Sequence, residues 1–136
     1  AEMIAEYDSK AKVDIVIPET TVVLQAGERY AGMILDEQGN PYYHLILLPG
    51  EKEDINWVES KYWAVEQGGE LPTRREQSLL FANIQDQFAS NYFWSSDRNK
   101  TDNGYAWCQY FGSGDQGSSP VISKLRARAV RRIYVG

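Results

Sequence analysis

His44 and Cys108 are the only histidine and the only cysteine in this chain of 136 residues. That bounds the chemistry at once. A zinc site needs several nitrogen or sulfur ligands, and neither a second histidine nor a cysteine pair is available. A Ser/His/Asp triad has to use a histidine that sits in the apolar run Tyr43-His44-Leu45-Ile46-Leu47-Leu48, where a hydrogen-bonded structural role is the simpler reading. Cys108 lies among β-formers and reads as a small apolar strand residue. Carboxylates are plentiful, but their spacing pairs none for general acid/base work. Asp97-x-Asn99-x-Thr101 places oxygen-bearing side chains on alternate positions, as a calcium loop does. An EF-hand also needs glycine at the sixth place and glutamate at the twelfth, where this chain has Asp102 and Cys108. A solvated hairpin loop is the reading, and no cofactor is expected.

The charged residues point to recognition. The net charge of −5 argues against a general nucleic-acid binder. Lys124, Arg126, Arg128, Arg131 and Arg132 nonetheless form a basic run near the end of the chain. Such a run meets an anionic partner or pairs with acidic groups of its own domain. For Lys124 and Arg126 the two stay open. Arg74 and Arg75 read as the solvated first turn of a helix. Nine tyrosines and four tryptophans supply large side chains with a polar tip, the kind that serve both cores and interfaces.

The elements that position these residues follow from pattern. Gly68-Gly69 stops one helix, Leu71-Pro72 is extended, and Thr73-x-x-Glu76 is a capping box opening the next. Leu80, Ile84 and Phe88 recur at helical spacing, so residues 74–88 read as an amphipathic helix. Upstream, Asn56 and Glu59 repeat the cap, and Val58, Tyr62 and Val65 share one face of the preceding helix. Residues 30–35 and 42–48 form a hairpin across the turn cluster 36–41, with the second strand central and buried. Glu51 to Asp54 reads as a charged loop. Tyr92 to Ser96 and Tyr105 to Phe111 are strands around the polar loop 97–104. Residues 112–120 are Gly/Ser-rich and read as flexible, and Val121 to Val135 is the closing strand region. Residues 1–26 read as an arm or strand pair, with Val13, Ile15 and Ile17 alternating and Thr21 to Leu24 a second β-prone run. That arm offers assembly into a homo-oligomer, and residues 27–136 form the domain proper. No apolar run is long enough to span a bilayer. The lone cysteine and the lack of a visible leader favour a cytoplasmic or virion-associated setting over a secreted one.

An ordered set of short pieces carries a family resemblance. These are Trp57, Gly68-Gly69, Leu71-Pro72-Thr73-Arg74-x-Glu76, Tyr92-Phe93-Trp94-Ser95-Ser96, Ala106-Trp107, Phe111-x-x-Gly114 and Arg128-Ala129-Val130-Arg131. Together, over residues 56–133, they resemble the Lcl C-terminal-like domain, a bacterial and phage domain of unknown function. The chain departs from that pattern where Glu70 stands directly before Leu71, a place the family fills with arginine after tryptophan. The resemblance implies an α+β, C-type lectin-like fold: two helices on a small, twisted, mostly antiparallel sheet with long loops on one side. It implies kinship with glycan-binding adhesin tips, phage receptor-binding proteins and formylglycine-generating enzymes. The paired cysteines of those enzymes are missing, as are the Glu-Pro-Asn and Trp-Asn-Asp calcium signatures of animal lectins. For Arg128 and Arg131, the family resemblance of the Arg128-Ala129-Val130-Arg131 stretch implies internal pairing.

These observations lead to a non-catalytic binding module that recognises a protein or a glycan. Its expected surface is Arg98, Asn99, Lys100, Asp102, Asn103, Tyr105, Trp107 and Gln109, with Asp115 and Gln116 beside them. A phage accessory protein that binds and modulates a host protein is a second version of that reading. A formylglycine-generating-like oxidase is the alternative from another class.

Overall fold

A computed structural model describes Asp14 and residues 21–135. Most of the 1–26 arm, including the alternating run 13–17, lies outside the described residues. Thr21 to Leu24 is not a strand. In chain order the elements are β1 (Arg29–Leu35), β2 (Pro41–Leu47), β3 (Lys52–Ile55), α1 (Trp57–Glu66), α2 (Arg74–Ile84) and a short 3-10 turn (Gln85–Gln87). Then come β4 (Tyr92–Arg98), β5 (Tyr105–Tyr110), β6 (Gln116–Pro120), β7 (Leu125–Ala127) and β8 (Val130–Tyr134). The fold is α+β. No helix among the described residues is long and apolar enough to cross a membrane.

Two sheets share the work. One has the order β1-β2-β8, the other β3-β7-β4-β5-β6. Every pairing is antiparallel except the short contact of β4 with β7, Phe93 opposite Arg126. The hairpin of β1 and β2 is as its turn chemistry predicts, and β2 is central, flanked on its other side by β8 from the end of the chain. The larger sheet is covered on both faces at the start of β4, which is why the adjacent Phe93 and Trp94 are both buried. Phe93 faces one core with Leu45, Leu47, Leu80, Phe88 and Phe111. Its neighbour Trp94 faces the other, with Ile55, Trp57, Ala64, Leu71 and Cys108. Both indoles are satisfied: Trp94 Nε1 donates to the Ile55 carbonyl at 2.9 Å and Trp57 Nε1 to that of Ser95 at 2.8 Å.

The central turn is built for close approach. Gly68 has φ 92°, the left-handed conformation that ends α1. Gly69 lies so near β8 that a Cβ there would stand 2.2 Å from the Val130 carbonyl oxygen. Glu70 and Val130 then exchange backbone hydrogen bonds at 2.9 and 2.8 Å.

Several expectations are corrected. Val58, Tyr62 and Val65 are the outer face of α1, 47, 70 and 65% exposed, while Trp57, Ser60 and Ala64 face inward. Trp57 supplies most of the inward apolar surface, and the small Ser60 and Ala64 complete that face. The α2 helix ends at Ile84, and Phe88 reaches the core from beyond the 3-10 turn. The charged segment 51–54 contains most of β3, held against β7, where Arg126 pairs with Glu51 and Glu53 at 2.7 and 3.1 Å. The Gly/Ser-rich segment contains β6, which adds to β5 through five consecutive residue pairs. The closing strand region is two strands, β7 and β8, which join different sheets.

Candidate functional site

The start of α2 is fixed from several directions. Pro72 is buried, and its carbonyl accepts from the Ser96 N–H at 2.9 Å, tying the helix entry to β4. The capping box forms as the sequence predicts: Thr73 Oγ1 accepts from the Glu76 N–H at 3.1 Å and Glu76 Oε1 from the Thr73 N–H at 2.8 Å. Arg74 is therefore the first helical residue, and its N–H donates to Asp97 Oδ2 at 2.8 Å. Its carbonyl accepts from Gln116 Nε2 at 2.7 Å, and its Nε donates to Gln116 Oε1 at 3.1 Å. Its guanidinium carbon stands over Trp107, 3.6 Å from the ring centre. Gln116 Nε2 also donates to Gln109 Oε1 at 2.9 Å, and Gln109 Nε2 to the Gln77 carbonyl at 2.8 Å. A chain of amides thus anchors Arg74 to the core.

Beside it opens a groove of about 620 Å3, lined by Arg74, Asp97, Arg98, Asn99, Lys100, Thr101 and Trp107. The far wall is the β4–β5 loop, which is tied to itself. Asn99 Oδ1 accepts from the Thr101 N–H at 3.0 Å and hydroxyl at 2.8 Å, and Asp102 Oδ1 from the Gly104 N–H at 3.1 Å. Arg98 donates to the Asn103 carbonyl at 2.5 Å, and its guanidinium stands over Trp57, 4.9 Å from the ring centre. Three cations and one carboxylate line the groove, and that carboxylate is engaged with the helix N-terminus. Among the described residues, Arg74, Arg98 and Lys100 form no ion pair, whereas Arg126, Arg131 and Arg132 all do.

Of the expected surface, Arg98, Asn99, Lys100 and Trp107 line the groove. Asp102 and Asn103 are exposed at the hairpin tip, with Tyr105 half-buried at the start of β5. Gln109 is fully buried and serves the amide chain, so it offers nothing to a ligand. Gln116 belongs to that chain too, while Asp115 is exposed in the turn before β6. Arg74 corrects the solvated first-turn reading, because it is half-buried beneath its contacts; Arg75 is exposed and donates to the Leu35 carbonyl at 3.0 Å. Asp97, a loop oxygen by its sequence pattern, lies instead within β4 and accepts from the start of α2. The one sequence signal for both is Pro72-Thr73, which fixes where α2 begins and so where Arg74 points.

The other ionisable groups are spent inside the fold. Glu76 is fully buried, with Arg132 Nε at 2.6 Å, Arg132 Nη2 at 2.9 Å and the Tyr43 hydroxyl donating at 2.5 Å. Burial pushes its carboxyl up, but the Arg132 guanidinium, with Tyr43 and the Thr73 N–H, holds it below the ordinary glutamate value. Burial and the Glu76 carboxylate raise the Tyr43 phenol well above its ordinary range. Arg132 also pairs with Glu70, and Arg131 with Glu28 at 2.8 Å. Arg128 donates to the carbonyls of Gln87 and Leu48 at 2.6 and 3.0 Å. His44 is buried, with Nδ1 2.8 Å from the Tyr30 hydroxyl. The Cys108 thiol is buried and pushed up by desolvation, away from the reactive thiolate. Among the described residues no three of His, Cys, Asp or Glu gather as a metal site requires.

Compared with known protein families and with curated proteins, the chain has no match.

Proposed function

We propose that this protein is a non-catalytic binding module that uses a C-type lectin-like scaffold, as the ordered sequence pieces imply, to recognise a protein or glycan ligand. The observation that supports this reading most is the groove between the start of α2 and the β4–β5 loop. Its arginines are held on aromatic rings, and its loop is internally bonded. Binding residues collect on loops carried by a rigid frame, and side chains ordered in advance lose less freedom on association. The chain closure through β2 and β8, with two helices between, is compatible with a lectin-like topology. The bacterial and phage setting of the resemblance supports a ligand on a host or cell surface, or among host proteins.

The test is a binding screen on immobilised glycans and on fractionated host proteins, run with the wild-type chain and with the Arg98→Ala/Lys100→Ala double variant. Retention of a ligand by the wild type and its loss in the variant is the expected result. A ligand bound equally by both moves the site elsewhere, and turnover of a small molecule by the pure chain ends the non-catalytic reading.

A further inference from the structure

We infer that the groove takes an acidic peptide segment of a protein partner, with a carboxylate seated on Arg74. The inference rests on the binding-module reading and names its ligand chemistry. Arg74 has its Nε engaged by Gln116 and its face against Trp107. Among the described residues neither of its terminal nitrogens has a hydrogen-bond partner. Those two parallel N–H groups are the fork that grips a carboxylate bidentately, and such charge-assisted pairs are the strong ones. Most of the orienting cost has been met in the free protein, because the backbone on both sides of the guanidinium is bonded to Asp97 and Gln116.

Arg98 and Lys100 continue the cationic lining along β4 into the loop. In a chain of net charge −5 this is a local inversion of sign, which steers an acidic segment to this face. A sugar is the less suited occupant. Carbohydrate rings pack on bare aromatic faces, but Trp107 lies under Arg74, and Trp57 is buried with Arg98 and Lys61 against it. Cations spread over two segments instead fit several carboxylates carried by one adaptable chain. Arginine and tryptophan at the centre of a polar groove are the residues that dominate protein interfaces.

The experiment titrates the full chain with a short polyglutamate peptide, a polyglutamine peptide of equal length and an oligogalacturonate of matched charge. Polyglutamate is expected to bind, and polyglutamine to show no binding. Arg74→Ala and Arg74→Lys should each weaken polyglutamate by roughly tenfold, because lysine keeps the charge and loses the fork. Lys100→Glu, at an exposed loop position, should weaken it several-fold without altering the fold. Raised salt should weaken the wild type, as it screens exposed charges. Absence of polyglutamate binding overturns the inference, and so does equal binding by wild type, Arg74→Lys and Lys100→Glu. Tighter binding of oligogalacturonate overturns the peptide assignment and leaves the binding-module reading standing. A neutral glycan that competes at the groove has the same effect.

Discussion

Arg132 and Arg74 lie on opposite ends of one helix-start geometry and meet opposite fates. Arg132 reaches the capping-box glutamate, fully buried, with Tyr43 and the Thr73 N–H completing the carboxylate's bonds. Arg74, two residues before that glutamate, is bonded on its backbone and face but leaves its charged edge at a solvent-open groove. The difference is one of counter-charge. The first arginine is neutralised within the fold and holds β8 to α2. The second is ordered without being neutralised, which is what an interaction site requires.

Removing the buried carboxylate should have the largest effect. Glu76→Ala leaves Arg132 and Tyr43 without their partner and also strips the capping box, so a loss of roughly 3–5 kcal/mol is expected by urea denaturation. Acid should act on the same group. The folded-state pKa of Glu76 is lowered, so the folded protein binds fewer protons than the unfolded chain near the ordinary value of 4.5. Its contribution is full above that value and is lost as pH falls through the lower folded-state value. Stability measured against pH should therefore fall less steeply on the acid side in Glu76→Gln than in the wild type.

Gly69→Ala comes next, because its Cβ meets a backbone oxygen that has little room to yield. A cost of roughly 1–3 kcal/mol is expected from such crowding, with the Glu70–Val130 bridge the first contact to loosen in amide exchange. Arg74→Ala should cost only about 1 kcal/mol of stability, the worth of a partly exposed guanidinium on an indole. Its effect belongs in binding. Lys100→Ala is the smallest, within about 0.5 kcal/mol in thermal unfolding. A large stability loss at Arg74 would erase the distinction between the two regions, since Arg74 would then be structural like Arg132, and a large loss at Lys100 would count against an open groove wall.

The same contrast separates what was legible in residue order from what was not. The helix stop at Gly68, the cap at Asn56, the capping box at Thr73 and the hairpin turn at 36–41 are local chemistry. Each needs only backbone groups a few residues away, so each could be read without the fold. The β4–β5 loop was legible for the same reason, as a polar run between aromatic strands. The inward face of α1 was not. Val58, Tyr62 and Val65 form a regular apolar stripe, yet Trp57, Ser60 and Ala64 are buried, because Trp57 and Ala64 meet the core around Leu71 and Trp94, residues distant in the chain. Strand β6 was hidden as well: its glycine, serines and proline have low strand preference, and pairing with β5 and the Gln116 anchor overrides it.

Residue order by itself determined the caps, the turns, the apolar runs and the presence of a basic cluster in an acidic chain. It left undecided which arginines would find carboxylates, since those partners lie up to 103 residues away, as Glu28 does from Arg131. Only the tertiary structure decided that Arg126, Arg131 and Arg132 are paired within the fold while Arg74, Arg98 and Lys100 border an open groove. The physical reason is that a salt bridge depends on distance in space, and spacing along the chain carries that information only within a single turn or helix.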